Sequence, residues 1–311
     1  MADVPSRWDP DWIQKRMDLE SHRLSRSSAE KDGIPYPTPI HYRLLAWGLK
    51  TMGLYERGYR NFLEIEVYHI AHRTIYWPMQ MSGLRILHIT DLHIDLDPAL
   101  LEILCRRLEG LTCDMVVFTG DFCEGTRHAY KEVINAMKVL FHHLPEHKYG
   151  KFGVLGNHDG LELGIALEQI GLTILANEAV EIETPRGSFS LAGVDDAFFF
   201  KLDDLERAAS QCAPGLPKVL LSHSPEVANE ADALGFSNLF SGHTHGGQIC
   251  LPGGYSPVSM KNIPPRIFKG MWRTGNLSGY TSRGTGACHL PLRYNCPPEI
   301  TIHTLNNSGQ A

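Results

Sequence analysis

Short apolar runs that stop on glycine or a polar residue, alternating with helical patterns, constrain this chain more than any other feature. LRILHIT, DMVVFTG, KFGVLG, LTILAN, GSFSLAGV, KVLLSH, SNLFSGH and EITIHTL have the length and branching of buried strands. Between several of them, DPALLEILCRRLEGL, RHAYKEVINAMKVLFHHL, LELGIALEQI, LDDLERAASQC and PEVANEADALG read as helices. This alternation predicts an α/β layered domain, although periodicity alone does not separate a doubly wound sheet from a sandwich of two sheets.

The first sixty residues read differently. They contain a charged helical stretch from Trp12 to Arg26, a turn at IPYPTP, and the segment IHYRLLAWGLKTMGLYERGYR. The opening residues hold neither the apolar core of a signal peptide nor a spanning helix, which predicts a cytoplasmic protein. Seven cysteines, an odd number without CxxC spacing, fit reduced buried thiols rather than a disulfide framework. A formal net charge of −6 offers no field for nucleic acid phosphates, so no stable nucleic acid partner is expected.

The chemistry lies where polar residues follow strands. LRILHIT runs into Asp91 and His93, DMVVFTG into Asp121, KFGVLG into Asn157, His158 and Asp159, KVLLSH ends at His223, and SNLFSGH leads to His243 and His245. In α/β sheets binding crevices form at the carboxyl ends of strands, so five segments can converge there. A helix starting at such an edge would also point its positive end at a phosphate. Aspartate, histidine and asparagine donors suit manganese, iron(II) or zinc, and seven such groups are enough for two ions. One carboxylate at the end of a central strand, Asp121, can bridge a pair about 3.5–4 Å apart and so support two-metal hydrolysis. Each element alone is a common turn or a satisfied core residue; all five in order are not.

The ordered set DLH, GD, GNHD, H and GHTH resembles the calcineurin-like metallophosphoesterases. LLSHSPE, SGHTHGGQICLP and the tail TSRGTGACHLPLRYNCPPEITIHTL are similar to the bacterial YkuE and YaeI type branch of that superfamily. The resemblance implies a four-layer αββα sandwich of two mixed sheets over residues 61–306, with an N-terminal helical extension at 1–60 and a tail at 307–311. It implies two divalent ions, manganese, iron or zinc, one on Asp91, His93, Asp121 and His245, the other on Asp121, Asn157, His223 and His243. A hydroxide bridging them would attack phosphorus. His158, as imidazolium, would meet the substrate phosphate or protonate the leaving oxygen, with Asp159 a candidate to orient it. Asn157 is a further candidate substrate contact, as are Arg283 and Arg293 as bidentate donors, against the plainer reading of the two arginines as surface or core ion pairs. Thr90 and Ile94 stand where this family usually has serine and frequently has glycine.

The resemblance implies a hydrolase of a phosphodiester or pyrophosphate, with a lipid-linked nucleotide of the UDP-diacylglucosamine type among the substrates. A phosphomonoesterase or protein phosphatase is the alternative; a non-catalytic scaffold of this fold is expected to lose ligands, and none is lost here. Leu45, Leu49 and Met52 form a helical stripe beside Trp47 and Leu54, with Arg43, Lys50, Arg57 and Arg60 adding charge. Residues 40–60 are therefore a candidate for peripheral contact with the inner membrane face, against the plainer reading that the stripe packs on the catalytic domain. Trp8 and Trp12 are expected to be packing anchors.

Overall fold

The four-residue strand MVVF is apolar along its whole length, and KVLL from its second residue on, because both of their faces are covered. The structure, a computed structural model, describes residues 4–26, 39–124, 130–257, 259–260 and 262–309. The turn expected at IPYPTP lies outside these residues apart from Pro39. Helices α1 (Pro10–Arg26), α2 (Ile40–Thr51) and α3 (Tyr55–Leu63) precede β1 (Glu66–Thr74) and β2 (Leu84–Ile89). Then come α4 (Ala99–Leu108), β3 (Met115–Phe118), α5 (Tyr130–His143), β4 (Lys151–Gly153), α6 (Leu161–Gln169) and β5 (Thr173–Ile174). The second half runs β6 (Glu178–Thr184), β7 (Gly187–Gly193), α7 (Leu205–Ser210), β8 (Lys218–Leu221), α8 (Ala228–Ala233), β9 (Asn238–Ser241), β10 (Gly270–Thr274), β11 (Leu277–Thr281) and β12 (Glu299–Asn307).

The strands form two mixed six-stranded sheets, ordered β1-β12-β2-β3-β4-β5 and β10-β11-β9-β8-β7-β6. In the first, β2 to β5 are parallel, β12 lies antiparallel to β2, and β1 lies parallel to β12. In the second, β7, β8, β9 and β11 are parallel, with antiparallel β6 and β10 at the edges.

Alternation along each strand sorts side chains into layers. Ile86, Val117, Leu191, Leu221 and Phe240 meet between the sheets. Leu87, Val116 and Ile302 face the other way, onto a cluster that includes Leu104, Met137, Leu163, Phe62, Trp8 and Trp12. Leu220, Leu239 and Leu277 cover the outer face of the second sheet with Leu205, Ala231 and Trp272. The result is the αββα sandwich. Four strands escape the sequence pattern. EVYHIAHRT, EAVEIET and GMWRT are half-exposed edges, and LSGYT is buried but rich in small and polar residues. Its Gly279 lies under the Trp272 ring, where a Cβ would collide.

Three histidines occupy the inter-sheet layer. His72 Nδ1 meets Ser278 Oγ at 2.9 Å, His72 Nε2 meets His303 Nδ1 at 3.0 Å, and His303 Nε2 meets His88 Nδ1 at 3.2 Å. His88 Nε2 then reaches Thr119 Oγ1 at 2.8 Å. The His303 ring stacks on Phe240 with centroids 4.2 Å apart. Burial lowers all three, His72 and His88 to about 3, so they sit as neutral rings sharing hydrogen bonds.

Candidate metal centre

The loops leaving β2, β3, β4, β8 and β9 meet at one edge of the two sheets. Asp91, His93, Asp121, His243 and His245 all have φ between 40° and 70°, in the left-handed region that non-glycine residues rarely adopt. Five such conformations in one place cost stability and mark a functional constraint. Loop-to-loop backbone bonds hold them: Asp91 N donates to Gly120 O at 3.0 Å and His93 N to Asp121 O at 3.1 Å. Gly242 N donates to His223 O at 2.9 Å. Gly156 is required for space, because a Cβ there would strike Asp121 Oδ1 and come within 2.6 Å of Asp121 N.

Asp91, His93 and His245 bring ligand atoms within 4.8 Å of one another, and Asp121, His223 and His243 do the same. His93 Nε2 and His245 Nε2 are 3.2 Å apart, and His245 Nε2 is 3.5 Å from Asp91 Oδ1. On the other side His223 Nε2 lies 3.1 Å from both His243 Nδ1 and Asn157 Oδ1. Asp121 Oδ2 joins the groups, 3.6 Å from His93 Nε2 and 3.3 Å from His223 Nε2. The buried Asp91 carboxylate also receives Thr90 Oγ1 at 2.9 Å, so threonine serves where serine is usual.

These donors fit divalent cations. His93 Nδ1 faces Glu124 Oε2 at 2.9 Å, and His223 Nδ1 lies 2.7 Å from Thr119 O. A proton on each Nδ1 leaves the Nε2 lone pairs turned toward Asp121, an arrangement that a cation resolves. Burial opposes charging either ring, yet Glu124 and Asp121 raise His93 to about 9, and Asp121 raises His223 to about 10. Protons and metal ions compete for those nitrogens, so the same negative potential favours a cation. Asparagine, imidazole and carboxylate donors admit manganese, iron or zinc alike.

His158 borders this centre. Its backbone N–H donates to Asp121 Oδ1 at 2.9 Å, and its ring lies edge-on to His93 at 4.9 Å. Nδ1 is 2.7 Å from Glu124 O, which fixes the proton there and leaves Nε2 as the working nitrogen. Burial pushes the imidazole below its ordinary value, while Asp121 and Glu124 act the other way.

Three other candidate side chains are committed elsewhere. Asp159 does not orient the His158 ring. Its carboxylate accepts the backbone N–H groups of Asp121 at 2.7 Å, Phe122 at 2.8 Å and Gly156 at 2.8 Å, and so shapes the loop that carries Asp121. Arg293 is fully buried and spends its guanidinium on the carbonyls of His245, Arg283, Gly284 and Gly286. Arg283 is committed to Glu299 at 2.5 Å and Glu66 at 3.4 Å. Neither arginine is placed to receive a substrate phosphate; Arg293 braces the turn holding His245. At the start of α6, Glu20 Oε1 accepts Leu161 N at 2.9 Å.

Glu124 is the residue that sequence reasoning missed. It pairs with His93 and, at 3.0 Å, with His289 Nδ1, and these histidines hold its carboxyl well below the usual range despite burial. Only the rule that a ligating imidazole carries a carboxylate behind it could have pointed there, and that rule gives no position.

The comparison with known families points to the calcineurin-like phosphoesterases. The family model matches residues 84–247, more than half the chain, and the chain belongs to that family of metal-binding hydrolases. Among its relatives is the metallophosphoesterase YkuE of Bacillus subtilis, 30% identical over 81% of this chain and 90% of that protein. The phosphodiesterase YaeI of Escherichia coli is 29% identical over 79% of this chain and 91% of its own length. UDP-2,3-diacylglucosamine pyrophosphatase LpxG of Chlamydia muridarum is 27% identical over 71% and 83%.

Proposed function

We propose that this chain hydrolyses a phosphodiester or pyrophosphate with two divalent ions, one on Asp91, His93, Asp121 and His245, the other on Asp121, Asn157, His223 and His243. The observation that carries the reading is Asp121 Oδ2 lying within reach of both histidine groups at once. Bound there, the ions supply Lewis acidity toward a phosphoryl oxygen and toward the attacking water. The protein does the rest. Thr90 and the N–H of His243, 3.0 Å from Asp91 Oδ1, hold the Asp91 carboxylate, Glu124 holds His93, and Thr119 O holds His223. His158, with Nδ1 anchored on Glu124 O, offers Nε2 to the leaving oxygen or to a phosphoryl oxygen.

The substrate class is read from the N-terminal segment. Leu49 is buried against Leu290 and Leu292, which satisfies the packing reading for that one residue. Ile40, Leu44, Trp47 and Met52 stay exposed, at 62–69%, beside exposed Arg43 and Lys50. Tyr42, on the inner side of the same helix, meets the ring of His289, the partner of Glu124, with centroids 4.5 Å apart and the planes tilted by 44°. The helix that carries this exposed apolar and basic face thus borders the centre with its inner side, which supports an enzyme that works peripherally on an anionic inner membrane face and takes a lipid-linked nucleotide pyrophosphate. Among the described residues no helix is long and apolar enough to cross a membrane.

The test loads the full chain with manganese, iron or zinc and compares bis-p-nitrophenyl phosphate, p-nitrophenyl phosphate and a UDP-linked acylated sugar, with and without anionic liposomes. Diester or pyrophosphate turnover is expected to lead, and Asp121→Asn to lose metal and rate together because the bridging charge is gone. Preference for the monoester would overturn the substrate class. A mutant with full metal content and rate would overturn the two-ion centre. Failure to float with anionic liposomes at low salt would overturn the membrane reading.

A further inference from the structure

Arg16 lies on helix α1, far in sequence from every proposed ligand, yet its side chain is fully buried. A guanidinium is expensive to desolvate, and burial is tolerated only when its donors are met. Here they are met by Asp195, by Glu20 Oε1 at 2.8 Å, by Asp159 O at 2.6 Å and, more distantly, by Gly156 O at 3.4 Å. Its flat face covers the Phe200 ring at 3.7 Å.

The two carbonyls are those on either side of Asn157 and His158. Trp12, Arg16 and Glu20 are spaced by four and share one helix face. Trp12 Nε1 donates to Asp195 Oδ2 at 2.8 Å, and Glu20 Oε1 accepts Leu161 N at 2.9 Å. Helix α1 therefore grips the turn from Gly156 to Leu161 along its length. The same guanidinium reaches the loop after β7, where the Phe198 ring rests on His243 at 4.3 Å. One side chain outside the family-matched segment 84–247 thus ties the loop of Asn157 and His158 to the loop that backs His243.

We propose that Arg16 is a positioning residue for phosphoester hydrolysis: its fork fixes the Gly156–Asp159 turn so that Asn157 and His158 stay aimed at Asp121. This rests on the roles given above to Asn157 and His158. It makes α1 part of the catalytic body rather than a separable extension, whereas α2 carries the exposed face.

The experiment uses the full, manganese-loaded chain and bis-p-nitrophenyl phosphate. Arg16→Ala is expected to lower kcat about 10²-fold, as misplacement of a catalytic group by about 1 Å does, with KM little changed. Arg16→Lys keeps the charge beside Asp195 but not the fork, and is expected to fold and to lose kcat by about tenfold. Trp8→Ala loosens the same helix without bonding the turn, since Trp8 Nε1 donates to Ile174 O; it should lower Tm while keeping kcat. Imidazole NMR signals of His158, recorded on the zinc-loaded chain because manganese would broaden them and assigned with His158→Gln, should move in Arg16→Lys and stay in Trp8→Ala. Wild-type kcat in Arg16→Lys, or loss of kcat in Trp8→Ala in proportion to its Tm, would overturn the proposal. So would unmoved His158 signals in Arg16→Lys, a readout that holds even if no phosphoester is turned over.

Discussion

The histidines enclosed between the sheets set an acid limit on the fold. His72 has an ordinary pKa of 6.5 in the unfolded chain and about 3 in the folded one, burial being the main cause. Between those values the unfolded state binds a proton that the folded state refuses, so stability is lost as pH falls from about 6.5 toward 3. From pH 7 to pH 5 one such group costs about 2 kcal/mol, by integrating roughly 1.4 kcal/mol per pH unit over the protonated fraction. His88 and His303 act in the same sense, and together the three approach a typical net stability of roughly 5–15 kcal/mol. Asp159 and Asp203, raised to about 6 by burial, act in the opposite sense, so the total does not isolate the histidines. His72→Gln does, because glutamine keeps one donor and one acceptor toward Ser278 and His303 while binding no proton. Urea unfolding followed by tryptophan fluorescence at pH 7 and pH 5 should show a loss about 2 kcal/mol smaller in the variant than in the wild type. Parallel losses in the two proteins would refute the argument that His72 is neutral by burial.

Two perturbations of the centre complete the set. His158→Ala should keep its metal but slow turnover by about 10²–10⁴-fold, with a smaller defect on a nitrophenolate leaving group if Nε2 delivers a proton; metal loss in this variant would contradict its placement. Gly156→Ala should drive Asp121 from its position and lower metal content and rate together, because the new Cβ meets the Asp121 carboxylate and backbone; wild-type metal content by elemental analysis would show that the loop yields.

Most of the centre was readable because each of its residues follows an apolar strand directly, and strand ends in parallel sheets share an edge. What the sequence hid is what depends on depth. The spacing of Asp159 to His158 invited a pairing, whereas the turn folds the carboxylate back onto the N–H groups of Asp121 and Phe122. Arg293 looked like a phosphate donor because nothing in a sequence says that four carbonyls will surround it. Arg16 and Glu124 carry no local signature, since apart from Glu20 on the same helix the groups that Arg16 meets, and the histidines that Glu124 pairs with, lie elsewhere in the chain. The edge strands β1, β6 and β10 and the small-residue strand β11 lack the apolar run by which the others announce themselves. The stripe of Leu45, Leu49 and Met52 divides in the same way: Leu49 turns inward onto Leu290 and Leu292 while Met52 stays outside.

The place of β12 has a consequence for how the molecule is made. This strand is synthesised last of the twelve, yet it sits between β1 and β2, pairing Glu66 with Glu299 on one side and His88 with Thr301 on the other. Until it leaves the ribosome, the inward edge of β2 has no neighbour and β1 has no sheet to join. At roughly 5–20 residues per second that interval lasts on the order of ten seconds or more, during which two strand edges stand open to pair with other nascent chains. The burden of keeping them apart falls on chaperones, and slowing translation after β11 should lengthen the exposure and raise the fraction of chains lost to aggregation.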